Sequence, residues 1–253
     1  MTIGILILGL MLGSFLNVVI HRVPVRMSIA RPRSHCPNCG RPVRIKDNVP
    51  VLSYLWLRGR CRDCGVRISW RYPVVEALTA LVLILLYIKL GNSWAYLVYG
   101  LLSLFLIAIA FIDAEKRIVP NRLTVPGFIL GITLTPIFQI ETPQSVLLGA
   151  LAGGAVCLAL GWFGKAVFRK DSLGMGDVKL LVMIGAYVGF PDVFFCLFFG
   201  VVVAAAYIAC AMILRKMKLG AIIPFGPFIA IGTLVYLLCG QTILAWYARM
   251  VSV

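Results

Sequence analysis

The sequence predicts an all-α polytopic membrane protein of about eight transmembrane helices, interrupted by one small cytoplasmic loop domain. Three observations carry this reading. Of the 253 residues, 61% are hydrophobic and only 13% charged, a usage far from that of a soluble domain. Apolar runs of spanning or near-spanning length recur at 2–20, 73–90, 94–112, 124–140, 144–167, 178–190, 192–214 and 221–246, the sixth being short for a bilayer. The formal charge of +15 is unevenly placed. If each run crosses once, the loops between runs 1–2, 3–4, 5–6 and 7–8 share one side, and they and their flanks hold 22 of the 24 Lys and Arg, Lys89 and Arg249 being the exceptions. The positive-inside rule makes that side cytoplasmic and puts the N-terminus outside. Topology accounts for the charge, so membrane lipids are expected as partners and nucleic acid is not.

The first run, within residues 1–20, has no basic residue before it and no small-residue cleavage pattern after it. It ends in His21-Arg22, as an uncleaved anchor does. Ser14 and Asn17 lie inside it and are expected to face other helices, because an amide turned toward lipid has no partner. Residues 21–72 form the extended hydrophilic region. It carries Cys36-Pro37-Asn38-Cys39 and, after 21 intervening residues, Cys61-Arg62-Asp63-Cys64. Each pair is a tight knuckle that points two thiolates at one ion, and two knuckles supply the four sulfurs of a closed tetrahedral zinc site. Iron suits the same cage. A disulfide framework is the alternative, and a reducing cytoplasm argues against it. A metal would knit together a loop with few apolar residues to bury. Residues 73–253 supply the other seven spans. Cys157, Cys196, Cys210 and Cys239 sit in apolar runs, where cysteine behaves as a small hydrophobe.

Within that core, Glu76 is expected in the first turn of the second span, where a helix N-terminus favours an acid. Gly91-Asn92-Ser93 makes a short outside turn. Pro120 and Pro126 forbid an uninterrupted helix, so Lys116 to Val125 is expected as a bend, with Thr124 capping the next helix. Gly149, Gly153 and Gly154 have the spacing of a helix-packing face. Asp192 is expected as a solvated residue of the turn Phe190-Pro191-Asp192. Pro224-Phe225-Gly226-Pro227 disturbs the start of the last span, and such backbone persists at membrane depth only where protein or a water-filled cavity satisfies it. No internal repeat or low-complexity segment is visible.

Two carboxylates stand out. Asp113 ends the third span going in, and Asp177, in Gly174-Met175-Gly176-Asp177, starts the sixth going out. Topology therefore places both at one depth near the cytoplasmic face. An ionisable group at such depth is costly and is usually turned to a task. Two carboxylates sharing a site do not both ionise easily, so one accepts a proton from water while the other donates to a carbonyl oxygen. Asp113 at a helix C-terminus and Asp177 at an N-terminus suggest Asp177 as the base and Asp113 as the proton-bearing partner. Gly174 and Gly176 permit close backbone approach, so an extended substrate would pass there. The competing class is an ion-coupled transporter that uses Asp113 and Asp177 as a proton relay. Inverted repeats with matching broken helices would mark it, and none is visible.

The set Gly13-Ser14-Phe15-Leu16-Asn17-Val18-Val19-Ile20-His21-Arg22, the paired Cys-x-x-Cys, Asp47-Asn48-Val49-Pro50-Val51-Leu52-Ser53-Tyr54, Arg71-Tyr72-Pro73-Val74-Val75-Glu76, Phe111-Ile112-Asp113, Gly174 to Lys179 and Pro224-Phe225-Gly226-Pro227 resembles, in order and nearly end to end, the bacterial type IV prepilin peptidases. The resemblance implies an eight-helix aspartic protease of the inner membrane that cuts the short basic leader from prepilins and pseudopilins. Asp113 and Asp177 match the family's catalytic pair. It also implies N-methylation of the newly exposed residue with S-adenosylmethionine as donor, and the cysteine-bearing loop is associated with that bifunctional form. No glycine-rich nucleotide signature accompanies it here. Asn121 departs from the aspartate that many members carry after the proline.

Overall fold

The computed structural model describes residues 2–31, 33–168, 174–215 and 223–240, with positions 242, 243, 246 and 250. Arg169, Lys170, Lys216, Lys218, Arg249 and, within the run at 221–246, positions 221, 222, 241, 244 and 245 lie outside the described residues. The chain divides into two compact units, Met1–Ile88 and Lys89–Val253.

In the first unit α1 (Thr2–Arg22) and α3 (Arg71–Leu90) flank a loop that contains the short helix α2 (Leu52–Trp56). Glycine lets the two long helices touch backbone to backbone: a Cβ on Gly9 would meet the Ala80 Cα at 2.6 Å, and one on Gly13 the Glu76 Cα at 2.5 Å. One turn on, Asn17 Nδ2 donates to the Tyr72 carbonyl at 3.0 Å. The matched pairs run in opposite order, so the helices are antiparallel, and Asn17 faces the partner helix as a buried amide must. This packing joins α3 to α1, whereas the sequence groups residues from 73 onward with the core. Glu76 is also displaced from its expected setting. Because α3 begins at Arg71, Glu76 lies in its second turn, buried, with the backbone N–H of Val51 donating to Oε2 at 2.7 Å.

The second unit runs α4 (Trp94–Lys116), α5 (Asn121–Ile137), α6 (Pro143–Phe168), α7 (Met175–Val188), α8 (Asp192–Ile213) and α9 (Gly226–Val235), the last continuing into a π-helical turn at Tyr236–Gly240. The Ser93 hydroxyl caps α4 by accepting the Tyr96 N–H at 3.2 Å, which ends the turn where Gly91-Asn92-Ser93 predicts. Arg117, in the left-handed region at φ 56°, closes α4 with its N–H on the Asp113 carbonyl. The bend that follows is shorter than expected. Pro120, with extended backbone, is itself the N-cap, and its carbonyl accepts from Leu123 and Thr124. Thr124 is consequently a buried residue inside α5, and Pro126 is inside it too. Asp192 opens α8, half-buried, within hydrogen-bonding reach of the Tyr236 side chain.

Two glycine seams set the helix spacing. Gly149 of α6 faces Gly185 and Gly189, and Gly153 faces the Leu181 carbonyl, so α6 lies directly on α7. Gly200 of α8 and Gly232 likewise bring α8 and α9 into backbone contact. Among the described residues there is no β-strand, and five helices are long and apolar enough to cross a membrane: α1, α3, α4, α6 and α8.

A Cβ on Gly149 would lie 2.5 Å from the Gly189 carbonyl carbon and 2.6 Å from the Gly185 oxygen. Gly149→Val is therefore expected to lower stability by about 1–3 kcal/mol through overpacking, measured as a loss of thermal stability in detergent micelles. The same change at Gly4, where nothing lies within 4 Å, is expected to have little effect.

Candidate functional site

Two constellations hold the chemistry-bearing side chains, one in each unit. In the second unit Asp113 projects from the last turns of α4 and Asp177 from the first turn of α7. Both are buried, and they lie close enough to interact through their charges. The helices that carry them are in contact with each other, and both touch α9. Each carboxylate is met by a backbone donor. Asp113 Oδ2 accepts the N–H of Gly226, the first residue of α9, at 3.0 Å, and Asp177 Oδ2 accepts the N–H of Gly174, which precedes α7, at 3.3 Å. Orphan N–H groups at helix N-termini are natural partners for carboxylates.

The sequence places Asp113 only at a helix C-terminus. In the fold its carboxylate sits at the N-terminus of another helix, so both acids receive the same kind of support. Asp113 still ends α4, and each carboxylate has one backbone donor, Gly226 for Asp113 and Gly174 for Asp177.

The glycines of the Gly174-to-Asp177 stretch have different surroundings. A Cβ on Gly176 would lie 2.9 Å from the Val119 side chain, so the α4–α5 loop fills the space beside it. Among the described residues, only Asp177 Oδ2 and the Gly176 nitrogen come within 4 Å of a Cβ on Gly174, at 3.7 and 3.8 Å. Lys179 Nζ donates to Asn121 Oδ1 at 2.9 Å, tying the start of α5 to α7. Gly226 is the residue that sequence reasoning passed over. Its Cβ would lie 2.6 Å from Asp113 Oδ2, and its place between two prolines at a helix start was the available signal.

In the first unit Cys36, Cys39, Cys61 and Cys64 converge, their sulfurs all within 4.8 Å of one another. Four thiolates around zinc at about 2.3 Å would sit about 3.8 Å apart, and Cys36 Sγ to Cys64 Sγ is 3.8 Å. The cysteines are free thiols, against the disulfide alternative. The two knuckles have the same build. The N–H groups of Gly40 and Gly65 each return to the carbonyl of the first cysteine at 2.9 Å, with φ of 68° and 71°, and Cys36 and Cys61 each donate to the residue five positions on. Those φ values are why a glycine follows each pair, a repeat of Cys-x-x-Cys-Gly that the sequence displays.

Backbone donors prepare the sulfurs for charge. The N–H of Cys39, then that of Asn38, holds the Cys36 thiol below its usual range, and the N–H of Val66 with the Asn38 amide lowers Cys64 to about 6. At Cys39 the Arg41 N–H is outweighed by desolvation and the neighbouring thiolates, and the value rises to about 11. Thiols packed this closely resist ionising together, and a cation at their centre removes that resistance. Around the cluster, Asp63 accepts from Arg41 at 3.3 Å and Arg44 at 3.1 Å, and Arg62 grips Asp47 through both carboxylate oxygens, the shortest contact being 2.6 Å. The loop's two acids are thereby paired internally.

Residues 7–90 match the bacterial peptidase A24 N-terminal domain, and residues 100–209 match the type IV leader peptidase family. A prepilin leader peptidase/N-methyltransferase of Aeromonas salmonicida (strain A449) is 36% identical over 96% of this chain and 92% of that protein. One of the same name from Myxococcus xanthus is 43% identical over 72% of this chain and 54% of its own length. A type 4 prepilin-like proteins leader peptide-processing enzyme of Escherichia coli O78:H11 is 36% identical over 88% of each. No solved structure matches the chain.

The contact between Gly226 and Asp113 leaves no room for a methyl group. Gly226→Ala is expected to push the Asp113 carboxylate off its N–H donor and destabilise the unit by about 1–3 kcal/mol. Thermal unfolding in detergent reads this out, with Gly174→Ala, which meets no contact under 3.7 Å, as the mild comparison.

Proposed function

Because the chain belongs to the type IV leader peptidase family, we propose that it removes the short basic leader from prepilins and pseudopilins at the cytoplasmic membrane face, by aspartic-protease chemistry, and N-methylates the residue so exposed. The observation that carries this reading is the buried pair Asp113 and Asp177, each held by a backbone N–H at a helix N-terminus. In the resting dyad one carboxyl keeps a proton and the other is ionised. The ionised member takes a proton from water as the water oxygen bonds to the scissile carbonyl carbon. The protonated member gives its proton to the carbonyl oxygen, and a neutral diol forms. The newly protonated member then gives its proton to the amide nitrogen while the other takes one from a diol hydroxyl, so the C–N bond breaks, leader acid and mature amine leave, and the dyad again holds one proton. Gly174, which is exposed, lines the path of the extended substrate, and Gly176 serves by admitting Val119. The proteins named above are peptidases and processing enzymes, so the transporter reading has no support among them.

The finer topology belongs to the same proposal. The shorter helices α5, α7 and α9 complete eight crossings, with the N-terminus outside and residues 21–72 cytoplasmic, in a multi-pass protein of the inner membrane. Residues 1–20 anchor it, 21–72 carry the metal, and 73–253 carry the protease. Cys36, Cys39, Cys61 and Cys64 would hold zinc in a closed site with no open position, which makes the ion a fastener for the loop. S-adenosylmethionine supplies an electrophilic methyl group, and no residue of this chain is assigned to it.

Asp113→Asn and Asp177→Asn proteins are each expected to lose about 10²–10⁴-fold in cleavage rate while keeping the helical circular dichroism of the parent. Retained cleavage of a prepilin peptide in either would sink the dyad. Cys61→Ser, or a chelator strong enough to compete with four thiolates, is expected to release one equivalent of zinc by elemental analysis. Trypsin should then cut more readily in residues 23–70. Unchanged proteolysis after metal loss would remove the fastener role.

A further inference from the structure

We infer that α2 is a foot that rests the cysteine-bearing loop on the bilayer, with Leu52, Leu55 and Trp56 immersed among the anionic phospholipid headgroups of the leaflet through which α1 and α3 pass. The face is unusual for a hydrophilic loop. Leu52 is 65% exposed, Leu55 64% and Trp56 83%, at the i, i+3, i+4 spacing that puts three side chains on one side of a helix. The other side of α2 turns to the loop. Tyr54 stacks its hydroxyl end over Gly59 and donates to the Ile68 carbonyl at 3.3 Å, and the Ser53 hydroxyl donates to the Lys46 carbonyl at 3.1 Å. The apolar face is therefore directed away from the lobe.

Its height is fixed by a hydrogen bond. The Val51 N–H, immediately before α2, donates to Glu76 Oε2 at 2.7 Å. Glu76 lies five residues into α3, about 8 Å along the axis from Arg71 at 1.5 Å per residue. The polar zone of one leaflet is about 5–8 Å thick, so with Arg71 at the outer edge of that zone the start of α2 lies at headgroup depth. The chain accepts strain to stay there. Val51 is β-branched yet adopts φ 61°, ψ −49°, and the Leu52 N–H closes on the Pro50 carbonyl at 2.6 Å. That is the rare, strained hand of γ-turn. Trp70, directly before α3, is 70% exposed at the same boundary, and tryptophan favours that zone.

Charge selects the lipid. The two acids of the loop, Asp47 and Asp63, are occupied by Arg62, Arg41 and Arg44. Arg58 and Arg60, which follow α2, are exposed. Basic residues beside an apolar foot attract a negatively charged leaflet, and the attraction fades with salt.

The test uses the full chain in nanodiscs with Trp56 as its single tryptophan, Trp70, Trp94, Trp162 and Trp246 being replaced by Phe. In bilayers containing phosphatidylglycerol, Trp56 emission should be quenched by lipids brominated near the headgroup. Acrylamide should quench it several-fold less than free indole, and more strongly once phosphatidylglycerol is replaced by phosphatidylcholine at high salt. Full acrylamide access with no bromolipid quenching in either bilayer overturns the proposal. So does shielding that appears only when a prepilin is added, which would give the face to a protein substrate. The unaltered protein provides a check independent of those four replacements: a phospholipid with a photoreactive headgroup should label the peptide containing residues 52–57, and absence of label there also overturns it. None of these readouts depends on peptidase or methyl-transfer activity, so failure here leaves the proposed function standing.

Discussion

The hydrogen bond from the Gly226 N–H to Asp113 Oδ2 is the constraint on which the second unit turns. A carboxylate carried to the end of an apolar helix must find donors inside the protein, since lipid supplies none. The start of a later helix supplies one here, and only a residue without a side chain can bring its nitrogen that close. The break at Pro224-Phe225-Gly226-Pro227 then has a physical purpose. It ends one stretch of chain and begins α9 where Asp113 needs it. Asp177 repeats the device at shorter range, with the N–H of Gly174 just ahead of its own helix.

Much of this was legible beforehand. Charge asymmetry and apolar length singled out Asp113 and Asp177 as a pair without any contact being known, and Cys-x-x-Cys spacing anticipated the sulfur cluster. What stayed hidden depends on pairings between residues distant in the chain. The partner of Asp113 lies 113 residues away, and the partner of Glu76 is a backbone N–H in a loop. Neither leaves a periodic trace. The start of α5 was misplaced for a local reason, because an extended proline caps through its carbonyl and needs no polar side chain. The sixth run, read as 178–190, is matched by a helix of similar length set toward the N-terminal side, since α7 runs from Met175 to Val188.

The first unit solves a different problem. Forty-odd residues between α1 and α3 have too few buried apolar side chains to fold by burial alone, so local glycine-pinned knuckles, internal ion pairs and the convergence of four sulfurs give the loop its shape. The buried carboxylate of Glu76 ties that shape to a long helix. Exposed ion pairs such as Arg41 with Asp63 add little energy by themselves, but they fix which parts of the loop face each other.

The glycine seams have a mechanical meaning as well. Helices in backbone contact, as α6 with α7 and α8 with α9, can neither slide nor separate without losing most of their dispersion attraction, so each couple moves as a rigid plank. Asp177 belongs to one plank and Gly226, which holds Asp113, to the other. A small rocking between the planks would therefore be felt first as a change in the gap between the two acids, and whatever wedges into that gap sets how far apart they stand.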